Sequence, residues 1–257
     1  MGDYVSDIKI GIAGYGFVGQ AVHSCMKDSC YCIYDPPKNR GSVDALLGCD
    51  IVFCCLPTPT VPLNSVNGKQ DFSFYEDFFT EMEGYEGVFV IKSTVLYKNI
   101  EPYTKEFNIV YNPEFLNQNN FQKDFYTQTV IVLGGDVEFC KHVEQAYTDS
   151  FIFENPPDFE YCSIKEAAEL KYTHNTYHAY KVLYWNYIHE TCGNQRKIFD
   201  MYSRVTGNTH EMARVFSDGK AGYGGACFPK DVGAFHEERP HELTKFMIKY
   251  NKKIRKD

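Results

Sequence analysis

The stretch Gly14-Tyr15-Gly16-Phe17-Val18-Gly19 decides the fold of this chain. It has the spacing Gly-x-Gly-x-x-Gly, and it connects an apolar segment at residues 9–13 to a helical pattern that includes Ala21 and Val22. Glycines at this spacing allow a tight turn and let a pyrophosphate approach the backbone at a helix N-terminus. The order of strand, glycine loop and helix therefore predicts a dinucleotide-binding domain at the start of the chain.

Asp35 supplies the second part of this signal. It follows Gly14 by 21 residues and lies at the end of the next predicted strand. A carboxylate at that position accepts hydrogen bonds from both ribose hydroxyls and repels a 2′-phosphate, so the sequence predicts NAD rather than NADP as cofactor. The alternative is a tight turn in another kind of α/β protein, with Asp35 as a turn residue before proline.

Short apolar segments alternate with helical patterns over the first 150 residues or so. The predicted strands are residues 9–13, 30–34, 50–56, 87–91, 108–111 and 129–133. Strands that alternate with helices predict parallel pairing in an open, doubly wound α/β sheet of the Rossmann type. We assign this NAD-binding domain to residues 1–154.

The pattern changes after Phe153. Residues 155–158, Asn-Pro-Pro-Asp, are typical of a linker, and residues 163–192 contain no glycine or proline, which predicts one long helix. More helix is expected over residues 196–216 and from Glu242 to about Arg255. We predict a helical domain over residues 155–257, and a homodimer, because so long a helix usually packs against a partner subunit or another domain.

Composition excludes several classes of function. The net charge of −8 argues against nucleic acid as the main partner, and no apolar run approaches the ~20 residues of a membrane-spanning helix. Residues 1–7 are polar and acidic, unlike a signal peptide. The ten cysteines include no Cys-x-x-Cys pair, so we expect reduced, mostly buried thiols in a cytoplasmic protein.

The segment at residues 222–231, Gly-Tyr-Gly-Gly-Ala-Cys-Phe-Pro-Lys-Asp, carries the strongest chemical signal. A substrate can approach Cys227 without obstruction by side chains, because three glycines precede it closely. Lys230 and Asp231 follow, and this setting favours a nucleophilic thiol over a buried structural one. Lys230 either neutralises Asp231 or binds an oxygen of the substrate.

His174 and His178 have a spacing that can bind zinc. No third ligand is apparent, so we predict no metal site and assign both histidines to polar packing or to the helix surface.

The chain resembles the UDP-glucose/GDP-mannose dehydrogenase family in a series of motifs that occur in family order. They are Gly14-Tyr15-Gly16-Phe17-Val18-Gly19, Leu56-Pro57-Thr58-Pro59, Lys92-Ser93-Thr94-Val95, Asn112-Pro113-Glu114-Phe115-Leu116, Lys171 with Asn175, and Gly224-Gly225-Ala226-Cys227-Phe228-Pro229-Lys230-Asp231. The amino-acid sequences of the last motif and of residues 112–116 are most similar to those of the UDP-glucose 6-dehydrogenase branch. The resemblance implies a second domain like the C-terminal helical domain of 6-phosphogluconate dehydrogenase.

The resemblance also implies a reaction, the NAD-dependent oxidation of a nucleotide-sugar C6 alcohol to a carboxylate. Cys227 would trap the aldehyde as a thiohemiacetal, which is then oxidised to a thioester. Lys171 and Asn175, four residues apart on one helix face, would stabilise the oxyanion, although a solvated helix face is the alternative. Glu114 would promote thioester hydrolysis, and Thr94 and Asp231 would hold the water.

The resemblance further implies two sets of binding residues. Those assigned to the cofactor are Gly14, Gly16, Phe17, Val18, Gly19, Asp35, Pro57, Thr58, Thr94 and Lys230. Those assigned to the nucleotide sugar are Glu114, Phe115, Leu116, Lys171, Asn175, Tyr223 and Gly224.

The resemblance ends where the chain ends. Family members continue into a UDP-binding domain, whereas this sequence stops at residue 257. Two alternatives to the full reaction follow: a catalytically impaired NAD-binding homologue, or a half-enzyme that needs a separate nucleotide-sugar-binding partner.

Overall fold

A computed structural model describes residues 8–27, 30–62, 68–207, 215–216 and 218–255. The expectation about residues 1–7 lies outside these residues. The chain divides into two compact units, one formed by Met1–Thr58 and Phe72–Lys171, the other by Pro59–Asp71 and Tyr172–Asp257.

The described residues form nine strands and ten α-helices. The strands are β1 (Ile10–Ala13), β2 (Cys30–Tyr34), β3 (Ile51–Cys54), β4 (Thr60–Val61), β5 (Lys69–Gln70), β6 (Val88–Ile91), β7 (Asn108–Tyr111), β8 (Val130–Gly134) and β9 (Asp158–Cys162). The helices are α1 (Phe17–Ser24), α2 (Val43–Leu47), α3 (Ser73–Glu81), α4 (Tyr97–Ile100), α5 (Phe121–Tyr126), α6 (Val137–Ser150), α7 (Ile164–Cys192), α8 (Gln195–Thr206), α9 (Phe228–Glu238) and α10 (Glu242–Ile254).

The first unit is built on a seven-stranded sheet with the order β2-β1-β3-β6-β7-β8-β9. The five strands from β2 to β7 in this order are mutually parallel, which confirms the Rossmann-type α/β fold. The predicted parallel pairing does not extend to the contact between β7 and β8, which is antiparallel through Tyr111 and Gly134.

The β9 strand was missed by the sequence argument, which assigned Asp158 to a linker. It pairs in parallel with β8 from Asp158 to Cys162. Its residues are exposed or half-buried, as expected for a strand at the sheet edge. An apolar run is the signal of a strand buried on both faces, and an edge strand does not need one.

Each central strand buries side chains on both faces of the sheet. In β3, Ile51 and Phe53 belong to one apolar cluster, while Val52 and Cys54 belong to the other. Alternate residues of a strand point to opposite faces, so a strand covered on both sides becomes continuously apolar.

The boundary between the units differs from the predicted one between residues 154 and 155. The first unit continues to Lys171, because β9 joins the sheet and Ala167 and Ala168 of α7 pack into one of its apolar clusters. Residues 59–71 instead join the second unit, where the Thr60 hydroxyl donates to the carbonyl of Lys230 at 3.0 Å.

The second unit packs α7 from Tyr172 onward with α8, α9 and α10. Its core contains Ala179, Val182, Leu183, Tyr223, Val232, Met247 and Ile248. The long helix predicted at residues 163–192 is present as α7. The helix predicted at residues 196–216 is present to Thr206, where α8 ends, and Gly207 adopts a φ of 68°. Residues 215–216 are a turn rather than the predicted helix. Residues 208–214 lie outside the described residues.

None of the helices in the described ranges is long and apolar enough to cross a membrane.

Candidate active site

The glycine loop connects β1 to α1, as the sequence predicts. Gly14 has a φ of 88°, and a Cβ there would lie 2.6 Å from the carbonyl oxygen of Cys55, so a side chain is excluded. At Gly16, by contrast, a Cβ would have no atom within 4 Å. Gly16 is the N-cap residue of α1, so this open space lies at the N-terminus of the helix. Backbone N–H groups at a helix N-terminus can bind a pyrophosphate, and the loop therefore fits the predicted dinucleotide.

Three other predicted cofactor residues surround this loop. Phe17 is exposed at the start of α1 and meets the ring of Phe121 edge-on, while Val18 is half-buried and Gly19 is buried within the helix. The loop is attached to β2 because the N–H of Gly14 donates to the carbonyl of Tyr34 at 2.8 Å.

Asp35 lies directly after β2, and its side chain is almost entirely buried. Its Oδ2 atom accepts hydrogen bonds from the Tyr15 N–H at 2.8 Å and from the Lys38 ammonium at 3.1 Å. The sequence argument placed Asp35 next to the glycine loop but did not include the lysine.

Thr58 and Thr94 meet at the carboxyl ends of β3 and β6. The Thr58 hydroxyl donates to the carbonyl of Thr94 at 2.9 Å, and both residues are buried. Pro57, which precedes Thr58, is exposed. Ligands of open parallel sheets bind outside the carboxyl ends of the strands, which is where these residues lie.

Glu114 and Lys171 form an ion pair in the first unit. The ammonium lies 3.2 Å from the Glu114 carboxylate and also donates to the carbonyl of the same residue. It lies 5.3 Å from the centre of the exposed Phe115 ring. The N–H of Leu116 donates to Glu114 at 2.8 Å, so four predicted substrate residues contact one another.

Electrostatics keep Glu114 ionised. Burial raises its pKa, but the charge of Lys171, the Leu116 N–H and the charge of Lys92 together bring the pKa below its ordinary value. This carboxylate is therefore a hydrogen-bond acceptor at neutral pH.

Lys92 is a fully buried ammonium to which the sequence argument assigned no role. It donates to Asn112 Oδ1 at 2.9 Å, and the same oxygen accepts the Tyr147 hydroxyl at 2.6 Å. Burial lowers the pKa of Lys92 to about 8, and the positive charge of Lys171 lowers it further. Cys55 and Glu114 act in the opposite direction and raise this pKa, but by less. The burial of Lys92 was only weakly indicated by its position in the sequence, because a lysine directly after an apolar strand is more often exposed.

Asn175 and Asp231 form the centre of the candidate site in the second unit. The Asn175 amide donates to Asp231 at 2.6 Å, and Lys230 pairs with the other carboxylate oxygen. Asp231 has no exposed surface, and Asn175 and Lys171 are each 3% exposed. Neither Lys171 nor Asn175 therefore belongs to a solvated helix face. The pairing of Lys230 with Asp231 is one of its two expected roles.

Cys227 is exposed and caps the N-terminus of α9. Its carbonyl accepts the N–H of Asp231 at 2.9 Å, which fixes the aspartate one turn into the helix. The positive end of a helix dipole stabilises a negative charge, such as that of a thiolate. Cys227 is therefore not a buried structural thiol, and its role as a nucleophile stays a prediction.

The residues before Cys227 are held by polar contacts within the second unit. Asn251 accepts from the N–H of Tyr223 at 2.8 Å and donates to its carbonyl at 3.0 Å. Gly224 packs against the ion pair of Asp218 and Arg255. The start of the cysteine segment is thereby anchored to α10.

The other candidate chemistry is weaker. The ten cysteines, which all lie in described parts of the chain, are thiols rather than disulfides. The rings of His174 and His178 are 4.2 Å apart, and the His174 ring hydrogen-bonds Asn175 at 3.0 Å. Among the residues that the structure describes, no group of three or more His, Cys, Asp or Glu side chains could hold a metal ion.

The glycine loop after β1, the carboxylate after β2 and the parallel strand order define a class. They are the features of a Rossmann-type dinucleotide-binding protein, here followed by a helical second unit.

Comparison with known proteins identifies the family. The NAD binding domain of the UDP-glucose/GDP-mannose dehydrogenase family matches residues 39–151, and the central domain of the same family matches residues 165–254. The chain belongs to the UDP-glucose/GDP-mannose dehydrogenase family, and NAD is the cofactor of its first domain.

Curated relatives carry related names. A UDP-glucose 6-dehydrogenase of Rickettsia felis is 26% identical over 223 residues, which are 80% of this chain and 48% of that protein. UDP-glucose 6-dehydrogenase 1 of Arabidopsis thaliana is 27% identical over 198 residues, which are 71% of this chain and 41% of that protein. The chain spans about half the length of the curated relatives it matches.

Solved structures share the fold. A UDP-glucose dehydrogenase from Pyrobaculum islandicum superposes with a TM-score of 0.77 at 17% identity, over 98% of this chain and 70% of that one.

Proposed function

We propose that this protein oxidises the C6 alcohol of a nucleotide sugar to a carboxylate, as in the conversion of UDP-glucose to UDP-glucuronate. The observation that carries the proposal is the exposed Cys227 at the start of α9, with the buried Asn175–Asp231 pair beside it in the same unit. The names of the curated relatives supply the substrate class.

The glycine loop would hold the pyrophosphate at Gly16 and the start of α1, with Asp35 at the ribose. NAD, when bound, supplies the acceptor for the hydride that leaves C6 in each of two oxidations. Thr58 and Thr94 border the same carboxyl edge of the sheet and would limit where the rest of the dinucleotide can lie.

Cys227 would divide the reaction into two oxidations. The first removes a hydride and a proton from the alcohol and leaves an aldehyde. The Cys227 sulfur then adds to C6, forming a C–S bond, and the carbonyl oxygen takes up a proton to give a thiohemiacetal. Loss of a second hydride from C6 and of the hydroxyl proton gives a thioester, which cannot revert to a free aldehyde without a reductant.

Water would release the product. Addition of water to the thioester breaks the C–S bond and yields the carboxylate and the Cys227 thiol. Asp231, whose two oxygens are fixed by Lys230 and Asn175, would hold this water. Glu114, kept ionised by its neighbours, would accept the proton.

Lys171 and Asn175 would stabilise the negative oxygen at C6. Both are buried donors on α7, and a donor that is already oriented in a protein interior stabilises a developing charge more than water does. Phe115 and Leu116 are further candidate substrate residues of the first unit, and Tyr223 and Gly224 are further candidates of the second.

NADH production with UDP-glucose, UDP-N-acetylhexosamines and GDP-mannose tests the proposal. We expect NADH with at least one of them, at two NADH per carboxylate formed. A purified protein that forms no NADH with any of them contradicts it.

As a second candidate, we propose that residues 1–257 bind NAD but are catalytically impaired by themselves, or act only with a separate nucleotide-sugar-binding polypeptide. They match 48% of the Rickettsia felis protein. NAD binding without turnover, followed by turnover when such a polypeptide is added, would distinguish this candidate from the first.

A further inference from the structure

Two cysteines of the first unit are in contact at the β2 edge of its sheet. The sulfur of Cys32, in β2, lies 3.6 Å from the sulfur of Cys49, which follows α2 and is 17 positions further along the chain. Neither residue belongs to the sets assigned to the cofactor, the nucleotide sugar or the proposed reaction. The sulfurs of a disulfide are about 2.05 Å apart, so these two thiols need to approach by only about 1.5 Å to form one.

The strand register brings both thiols to the same face of the sheet. Cys32 pairs with Gly11 of β1, and a Cβ on Gly11 would lie 2.9 Å from the Cys49 sulfur. The glycine therefore leaves the space that Cys49 occupies beside Cys32. The register of β1 and β2 shifts between Ile10 and Gly11, and Cys30 packs against the apolar cluster on the opposite face. Of the two thiols in β2, it is therefore Cys32 that faces Cys49.

A small oxidant can reach this pair from the surface. Cys32 is half-buried, and Cys49 is 5% exposed. Cys49 lines a cavity of about 580 Å³, whose lining also includes the exposed residues Leu47, Gly48 and Asp50. A hydroperoxide group is little larger than a water molecule, so it can enter a cavity of this size.

The two thiols differ in acidity. A hydrogen bond with Cys49 lowers the pKa of Cys32, although burial acts in the opposite direction. The same hydrogen bond and burial both raise the pKa of Cys49. Cys32 is therefore the first of the pair to ionise, and the thiolate is the form of cysteine that attacks an oxidant. A thiolate with a second thiol beside it is the arrangement found at cysteines that are oxidised reversibly.

We propose that Cys32 and Cys49 form a reversible disulfide on reaction with a hydroperoxide, which makes the pair a site of oxidative modification other than Cys227. With hydrogen peroxide, the Cys32 thiolate attacks one oxygen, the O–O bond breaks, and the leaving hydroxide takes up the proton that Cys32 released. The Cys49 sulfur then attacks the resulting sulfenic acid. The S–S bond forms, the S–O bond breaks, and the second hydroxide takes up the Cys49 proton.

The electrons and atoms of this reaction balance. Each sulfur loses one electron, the peroxide gains two, and two thiols with one hydrogen peroxide give one disulfide and two water molecules. An added dithiol reverses the reaction by thiol–disulfide exchange.

Peptide mapping of the full chain by mass spectrometry tests the proposal. The folded protein is treated with hydrogen peroxide, the remaining thiols are blocked with N-ethylmaleimide, and the chain is digested with trypsin. Residues 28–38 and 41–69 are separate tryptic peptides. We expect a cross-linked pair of these peptides that is two hydrogens lighter than their sum, with fragmentation that places the bond between Cys32 and Cys49. Dithiothreitol added before the blocking step should restore both separate peptides.

Variants assign the cross-link to the pair. Cys49→Ser should lose the cross-link and leave Cys32 as a sulfenic acid, which dimedone traps. Cys30→Ser is the matched control, because it removes a thiol from the same strand but from the opposite face of the sheet. It should retain the cross-link in unchanged yield.

Three results would overturn the proposal. They are the absence of a Cys32–Cys49 cross-link from the treated wild type, a cross-link of the same two peptides that persists in Cys49→Ser, and a cross-link that Cys30→Ser abolishes. None of these measurements depends on NAD binding or on NADH production, so failure of this proposal leaves the proposed function untouched.

Discussion

At the scale of single residues, buried charges around Glu114 set the chemistry of the first unit. Glu114 is ion-paired with Lys171, and Lys92 lies near enough to lower its pKa further. The family resemblance pointed to Glu114 and Lys171, but their contact was not evident from residues 57 positions apart. The burial of Lys92 was not evident either.

The buried Lys92 predicts a pH dependence of stability. Its pKa is about 8 in the folded protein, whereas an unfolded lysine titrates near ~10.4. Between these values the unfolded chain retains a proton that the folded chain has released, so a rise in pH favours folding. The free energy of unfolding of the wild type, minus that of Lys92→Met, should therefore rise from pH 8 to about 10 in urea titrations.

The control for this measurement is Lys105→Met, because Lys105 is exposed. Its difference from the wild type should be flat over the same pH range. A flat difference for Lys92→Met as well would show that Lys92 is not a buried ammonium with a lowered pKa.

Cys227 predicts the effect of a single substitution on the reaction. Serine is a much weaker nucleophile toward an aldehyde, so Cys227→Ser should lower carboxylate formation by at least about 100-fold. Product analysis by mass spectrometry checks this. Cys192→Ser, at the exposed end of α7, is the matched control and should retain activity. Undiminished acid production by Cys227→Ser would exclude the thiol from the mechanism.

At the scale of secondary-structure elements, the loop between β1 and α1 contains one glycine that the fold requires and another that leaves space for the cofactor. Gly14 is enclosed by backbone and has a positive φ, while Gly16 faces open space at the N-terminus of the helix. The sequence spacing identified both glycines, yet only the structure distinguishes their tasks. The same is true of α7, whose length was predicted but whose buried and exposed sides were not.

Substitution by alanine should have different effects at the two glycines: mainly on stability at Gly14 and mainly on NAD⁺ binding at Gly16. Gly14→Ala should destabilise the protein by about 2 kcal/mol or more, because its methyl group meets the Cys55 carbonyl. Gly16→Ala should lower the melting temperature less but weaken NAD⁺ binding at least about tenfold, since its methyl group occupies the pyrophosphate space. Thermal unfolding and calorimetry measure the two effects, and NAD⁺ affinity unchanged by Gly16→Ala would contradict the placement of the cofactor.

The exposed side of α7 predicts the oligomeric state. Tyr177, Tyr180, Tyr184 and Tyr187 are all exposed, and their spacing of three and four residues places them along one side of the helix. We propose that this side forms the homodimer contact. Light scattering should give a dimer for the wild type and a monomer for Tyr180→Glu/Tyr187→Glu.

Tyr126→Glu is the control for this experiment, because Tyr126 is also exposed but lies on α5. It should remain dimeric. A wild type that scatters as a monomer rules out the proposed contact.

At the scale of the whole molecule, each unit has a core of its own. The first buries apolar side chains on both faces of its sheet, and the second packs Val182, Val232 and Met247 between its helices. Residues 59–71 lie within the first half of the chain but belong to the second unit. A domain assignment made along the sequence cannot show such an exchange, because the chain leaves and re-enters a unit through contacts between distant residues.

The sequence by itself determined the β1–loop–α1 signal, the buried parallel strands and the length of α7. These features depend on neighbouring residues, because glycine spacing, apolar runs and the absence of helix breakers act over a few turns of chain. Only the tertiary structure decided the antiparallel β8, the edge strand β9, the burial of Lys92 and the bond from Asn175 to Asp231. Each of these depends on a partner far away in the chain, such as the 56 positions between Asn175 and Asp231, and local patterns do not encode distant partners.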